Sequence, residues 1–193
     1  MSGEVKILKT DILSDSRYTL KKVTYEYTDA DGTRHTQSRE AYDRGNGAAI
    51  LLYNKEHNSV ILTKQFRLPS FVNGNPTGML IEVCAGQLDN DNAEDCIKRE
   101  TEEETGYKIR EVRKVFEAYM SPGSVTEMLY FFISEYSHSM KINKGGGVDH
   151  EHENIEVIEL PFKNAMEMID SGEIKDAKTI MLLQYAKLHN LMP

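Results

Sequence analysis

The sequence predicts an α+β protein: a mixed β-sheet with helices on its faces, preceded by an antiparallel β segment. Three observations carry this. Apolar runs of strand length are interleaved with amphipathic stretches of helical period. Clusters of glycine, asparagine and proline punctuate them. Residues 18–28 alternate in the manner of a strand.

The elements follow in order. YTLKKVTYEYT (18–28) puts Val23, Tyr25 and Tyr27 on one face at period two. The turn DADG (29–32) and the polar stretch RHTQSREAY (34–42) complete an N-terminal hairpin. A second hairpin is AAILLY (48–53), the turn NKEHN and SVILTKQF (59–66). The loop PSFVNGNPTG (69–78) is too long to be only a connector. MLIEVCAG (79–86) reads as one buried strand ending in glycine. Asn92 is placed to cap a helix over about 93–105, which Gly106 stops. VRKVFEAYM (112–120) and EMLYFFISEY (127–136) read as strands separated by SPGSVT. A glycine-rich polar stretch (138–154) leads into the strand IEVIEL (155–160). Pro161 opens a helix to about residue 171, and a last amphipathic helix spans about 176–191. Residues 1–44 form the N-terminal β-hairpin subdomain in this reading, and 45–193 the main domain.

Composition narrows the functional classes. The chain of 193 residues carries a net charge of −8, which argues against a nucleic-acid partner, because binding a phosphate backbone needs a basic face. No apolar run approaches the ~20 residues of a membrane helix, and the polar N-terminus carries no secretory core, so a cytoplasmic protein is expected. Two cysteines, Cys84 and Cys96, make no disulfide framework, and reduced thiols are expected.

The segment CIKRETEEETGY (96–107) concentrates Glu100, Glu102, Glu103 and Glu104. On an α-helix Glu100, Glu103 and Glu104 share a face, while Glu102 points elsewhere to water. Pairs of Arg99 with Glu103 and Lys98 with Glu102 would relieve the repulsion. Such a helix suits a solvated surface as well as a hard divalent cation. An EF-hand over 89–100 is ruled out, since Ala93 and Glu94 stand where an oxygen ligand and a glycine are needed.

The flanks of that helix are more specific. AGQLDNDNAEDCIKRETEEETGY resembles the Nudix box, G-x5-E-x7-R-E-U-x-E-E-x-G-U with U aliphatic, through Gly86, Arg99, Glu100, Glu103, Glu104 and Gly106. It departs from the box in a loop one residue shorter, in Asn92 at the first glutamate, and in Thr101 and Tyr107 at aliphatic positions. SREAYDRGNGAAILLYN, QFR, IEVCAGQLDND, YMSPGSVTE, GGGV and GEIKDAKT extend the resemblance over nearly the whole chain, to the ADP-ribose and nucleotide-sugar branch of the Nudix hydrolases. Pro122 marks that branch without choosing the base.

The resemblance implies a Nudix α/β/α sandwich with a mixed sheet, and Mg²⁺ as cofactor with Mn²⁺ as a substitute. It implies Mg²⁺-dependent hydrolysis of the diphosphate bond of a nucleoside diphosphate sugar, with GDP-mannose going to GMP and mannose 1-phosphate. The alternatives are ADP-ribose going to AMP and ribose 5-phosphate, or a sensor that binds nucleotide sugars without cleaving them. Metal ligands are implied at Glu100, Glu104, the Ala85 carbonyl and Glu153. Glu103 is implied to assist those ligands, with Arg99 as organiser of the carboxylates, and Glu151 is implied as general base. Arg39, Glu40, Arg67, Glu127 and Lys178 are implied at the substrate. The resemblance further implies a homodimer formed through residues 1–44; charge and hydropathy argue for no nucleic-acid or membrane partner. His150 and His152 are a weaker, alternative transition-metal pair, because no third ligand stands at suitable spacing.

Overall fold

The computed structural model describes residues 4–148 and 154–192. These separate into two compact units: the residues up to Asn46 with Tyr119–Met128, and Gly47–Ala118 with the residues from Leu129 onward.

The first unit is an antiparallel sheet of β1 (Val5–Asp15), β2 (Thr19–Thr28) and β3 (Arg34–Asp43). β2 and β3 run in unbroken register from Thr19 opposite Asp43 to Thr28 opposite Arg34, which is the hairpin the alternation predicts. β1 is a strand that the periodicity hides. Its pairing with β2 shifts between Ile7 and Lys9 and again between Ile12 and Ser14. Leu8 and Leu13 are therefore inserted residues that break the period-two pattern. Val5, Ile7, Leu8, Ile12 and Leu13 are all exposed. The segment after residue 119 bonds back to the end of β3, with Tyr42 N–H donating to Ser124 O at 2.7 Å and Thr126 N–H to Tyr42 O at 3.0 Å.

The second unit is built on β4 (Gly47–Asn54), every residue of which is buried. β4 is antiparallel to β5 (Ser59–Phe66), and β5 is antiparallel to β10 (Glu156–Pro161). On its other side β4 runs parallel to β9 (Met128–Glu135), which neighbours β8 (Arg113–Tyr119). The predicted strand 79–86 is two strands. β6 (Met79–Glu82) pairs with β5, and β7 (Cys84–Gln87) pairs with β4. The chain crosses between partners at Val83, whose N–H is satisfied by Thr179 Oγ1 at 2.8 Å.

Helices cover both faces of β4. Ala48, Ile50 and Leu52 pack with Ile97 of α2 (Ala93–Glu100) and with Phe132 and Tyr107. Phe131, opposite Ala49 in register, meets Phe116 at 4.5 Å, and Phe116 meets Tyr185 of α4 (Ala177–Leu188) at 5.9 Å. The long loop after β5 contains a short helix, α1 (Leu68–Val72), and α3 (Phe162–Asp170) follows β10. Each fully buried leucine or isoleucine contributes roughly 1.5–3 kcal/mol, so β4 and the helices on it form a firm base for the acidic segment. None of the described helices is long and apolar enough to cross a membrane.

Candidate active site

The acidic segment is anchored at both ends. Asn92 caps α2, its side-chain oxygen accepting from Glu94 N–H at 3.1 Å and Asp95 N–H at 3.0 Å. Cys96 and Ile97 bury its inner face completely. The α-helix then gives way to a π-helical turn over Thr101–Thr105. Both ends of that turn are threonines that bond back along the chain, Thr101 Oγ1 to Ile97 O at 2.6 Å and Thr105 Oγ1 to Thr101 O at 2.5 Å. Such back-bonding competes with regular helix, and π turns recur at functional sites.

Glu100 lies against Gly86, where any Cβ would collide with its carboxylate. Glu104 is only 3% exposed and accepts from Ala85 N–H at 3.4 Å. The two carboxylates thus border adjacent residues of β7, Glu100 at Gly86 and Glu104 at Ala85. Glu103 pairs with Arg99 at 3.1 Å, as the i,i+4 spacing predicts. Glu102 pairs with Lys108 at 3.2 Å, and Lys98 pairs with Glu94 at 2.6 Å in place of the expected Glu102.

Arg99 meets Glu100 at 2.9 Å, Glu103 at 3.1 Å and Asp91 at 3.4 Å. Burial would favour loss of its proton, but Glu100 and Glu103 outweigh this and hold it firmly charged. Asp91 precedes Arg99 by the spacing that separates glutamate from arginine in the Nudix box. Asp91 therefore stands in the supporting position, while Asn92 serves as the helix cap. The shortened loop falls between Gly86 and Asp91.

A glycine run closes the far end. Gly146 N–H donates to Glu104 O at 2.9 Å and Gly147 N–H to Glu103 O at 3.1 Å, satisfying carbonyls that the ending helix leaves open. Gly145, at φ +67°, sits so close to the Glu104 carbonyl that a side chain would strike backbone. Ile155 N–H returns to Gly146 O at 3.2 Å. Glu151 and Glu153, with His150 and His152, lie outside the described residues, but the chain on either side of them is tied to the end of this turn.

A second charged group lies in the same unit. Glu82, 3% exposed at the end of β6, accepts from Arg67 Nε at 2.7 Å and from Lys178 Nζ. Asp176 takes Lys178 at 2.8 Å and caps α4 through Thr179 N–H at 2.9 Å. Burial would raise the Glu82 pKa, but Lys178 and Arg67 overcome this and hold it below the usual carboxylate range. Sequence reasoning missed Glu82 and Asp176. The available signals were a glutamate inside an apolar strand and the D-x-x-T capping pattern of DAKT. The other expected substrate residues belong to the first unit. Arg39 and Glu40 are exposed on β3, and Glu127 pairs with Arg44 at 3.5 Å.

Among the described residues, no three His, Cys, Asp or Glu side chains converge as a group that could hold a metal ion. Glu100, over Gly86, and Glu104, at Ala85, offer oxygen donors along β7. Oxygen donors of this kind fit a hard divalent cation when further ligands come from substrate, water or elsewhere in the chain. Cys84 and Cys96 are free and buried.

The NUDIX domain model matches residues 43–183. The chain belongs to the Nudix family. A second model, the GDP-mannose pyrophosphatase NudK N-terminal domain, matches residues 4–42. The chain is 55% identical over 192 residues to a GDP-mannose pyrophosphatase of Shigella flexneri, covering 100% of both proteins. It is equally identical, with the same coverage, to one from Escherichia coli O1:K1. A crystal structure of an ADP compounds hydrolase superposes with a TM-score of 0.69 at 16% identity, covering 96% of each chain. That likeness shows a shared Nudix fold, an α+β mixed sheet with an N-terminal antiparallel sheet.

Proposed function

We propose that this Nudix protein is a pyrophosphatase that hydrolyses the diphosphate bond of a nucleoside diphosphate sugar, GDP-mannose first, to GMP and mannose 1-phosphate. The observation that carries it is the seating of Glu100 and Glu104 on Ala85–Gly86, within a chain that matches GDP-mannose pyrophosphatases along its full length. Glu100, Glu104, the Ala85 carbonyl and Glu153 are assigned as ligands of Mg²⁺, for which Mn²⁺ can substitute. The bound cation would neutralise diphosphate charge and make a water more acidic. Glu151 takes the proton of the attacking water, Glu103 assists the metal ligands, and Arg99 keeps the carboxylates in place. Arg67 and Lys178 meet the diphosphate as cations, with Arg39, Glu40 and Glu127 completing recognition of the nucleotide.

The unit of residues 1–44 is assigned to dimerisation, with residues 45–193 as the hydrolase domain. The exposed Val5, Ile7, Leu8, Ile12 and Leu13 of β1 support a homodimer, since a second copy would cover them. Arg39 and Glu40 then serve the partner's site. The experiment is a panel of nucleotide sugars and ADP-ribose at fixed Mg²⁺, with products identified. Fastest turnover of GDP-mannose to GMP supports the reading. Preference for ADP-ribose overturns the choice of substrate, and binding without cleavage of any member overturns the enzyme.

A further inference from the structure

We infer that Glu82 is a positioning residue which holds Arg67 and Lys178 as a paired cationic clamp for the substrate diphosphate; this rests on the reading above. Glu82 contacts no substrate itself. It is a single buried carboxylate with a cation on each oxygen: Arg67 Nε on Oε2 at 2.7 Å, and Lys178 Nζ on Oε1.

The arrangement leaves donors to spare. Arg67 spends Nε on Glu82, and neither terminal amino group has an acceptor among the described residues, although the side chain is 40% exposed. A guanidinium fixed through Nε presents its outer fork in a set orientation, which suits bidentate capture of phosphate. Lys178 is held between Glu82 and Asp176. The frame around Glu82 is rigid. Arg67 N–H closes the 67–78 loop on Gly78 O at 2.8 Å, and Val83 N–H is fixed by Thr179, itself bonded to Asp176 at 2.5 Å.

Stability alone is a poor reason for this cluster, because apolar side chains commonly replace buried ion pairs without loss. Arg67 also lies within electrostatic reach of Glu104.

The test is a double-mutant cycle on binding and turnover. Affinity for GDP-mannose is measured by calorimetry in EDTA, and kcat and KM are measured with Mg²⁺. The proteins are wild type, Glu82→Gln, Arg67→Ala/Lys178→Ala, and all three substitutions together. Glu82→Gln is expected to weaken binding and raise KM about tenfold, with kcat changed less. In the Arg67→Ala/Lys178→Ala background it is expected to change neither further, because its effect passes through those cations. An unchanged affinity in Glu82→Gln, or a full effect persisting without the two cations, overturns the inference. So does absence of binding by wild type in EDTA. Binding without hydrolysis by wild type instead refutes the functional reading and leaves the clamp standing. If Glu82→Gln does not fold, Glu82→Asp carries the same cycle with a smaller expected effect.

Discussion

Asp91 and Arg99 are joined by a 3.4 Å contact from the aspartate carboxylate to Nε of the guanidinium, across the first two turns of the helix that carries the site. Asn92, one residue along, instead caps that helix. Two adjacent residues thus hold separable roles. Asp91→Ala is expected to lower kcat/KM roughly ten- to a hundredfold by loosening Arg99, with little change in Tm. Asn92→Ala is expected to cost about 1 kcal/mol of stability and leave turnover near wild type. Kinetics and thermal melts on the two variants check the separation, and matching effects in both would contradict it.

Gly86 has no room for a side chain, because the Glu100 carboxylate fills that space. Gly86→Ala is expected to displace Glu100 and reduce Mg²⁺-dependent turnover at least about a hundredfold. The Mg²⁺-induced rise in Tm should shrink in parallel. A variant with normal turnover would show that Glu100 is not needed where it sits.

The acid limb of stability should depend on Glu82 and Glu159. Burial would raise the pKa of Glu159, but hydrogen bonds from Tyr136, His138 and Ser59 outweigh it and hold it below the ordinary 4.5. Both glutamates therefore titrate lower in the folded chain than in the unfolded one. Their contribution is present above the ordinary carboxylate value and is lost as pH falls through the depressed folded values. Glu159→Gln is expected to flatten the loss of Tm below about pH 4.5 relative to wild type. An unchanged acid limb would contradict the assignment.

The thiols should be silent in the native protein. Burial, then the charge of Glu100, pushes Cys96 up to about 12, and burial with Glu104 raises Cys84 as well. Neither forms appreciable thiolate near neutrality. A thiol-disulfide reagent at pH 7.5 is expected to label both only after denaturation, and fast native labelling would contradict this.

Much of the fold was legible because its elements obey simple periods. The β2–β3 hairpin, the β4–β5 hairpin, the Asn92 cap and the Gly106 stop follow from alternation and terminal chemistry. β1 was not legible, since bulges at Leu8 and Leu13 destroy the alternation. The break at Val83 depends on α4 arriving from far along the chain. In the site, Gly86, Arg99 and the glutamates were readable through the resemblance to the Nudix box, which the helical spacing of the glutamates left open. The π turn was not, since it goes with back-bonding by Thr101 and Thr105, whereas the Arg99–Glu103 pair was readable from i,i+4 spacing. Glu82 was hidden for another reason, as its cations come from sequence positions 15 residues before it and 96 after it.

The most direct test of the central claim compares wild type with Glu104→Gln in GDP-mannose hydrolysis at saturating Mg²⁺, with products identified by chromatography. Wild type is expected to give GMP and mannose 1-phosphate. Glu104→Gln is expected to fold with a similar Tm and lose at least about a hundredfold in kcat. No Mg²⁺-dependent hydrolysis by wild type, or near-full turnover by Glu104→Gln, would contradict the account.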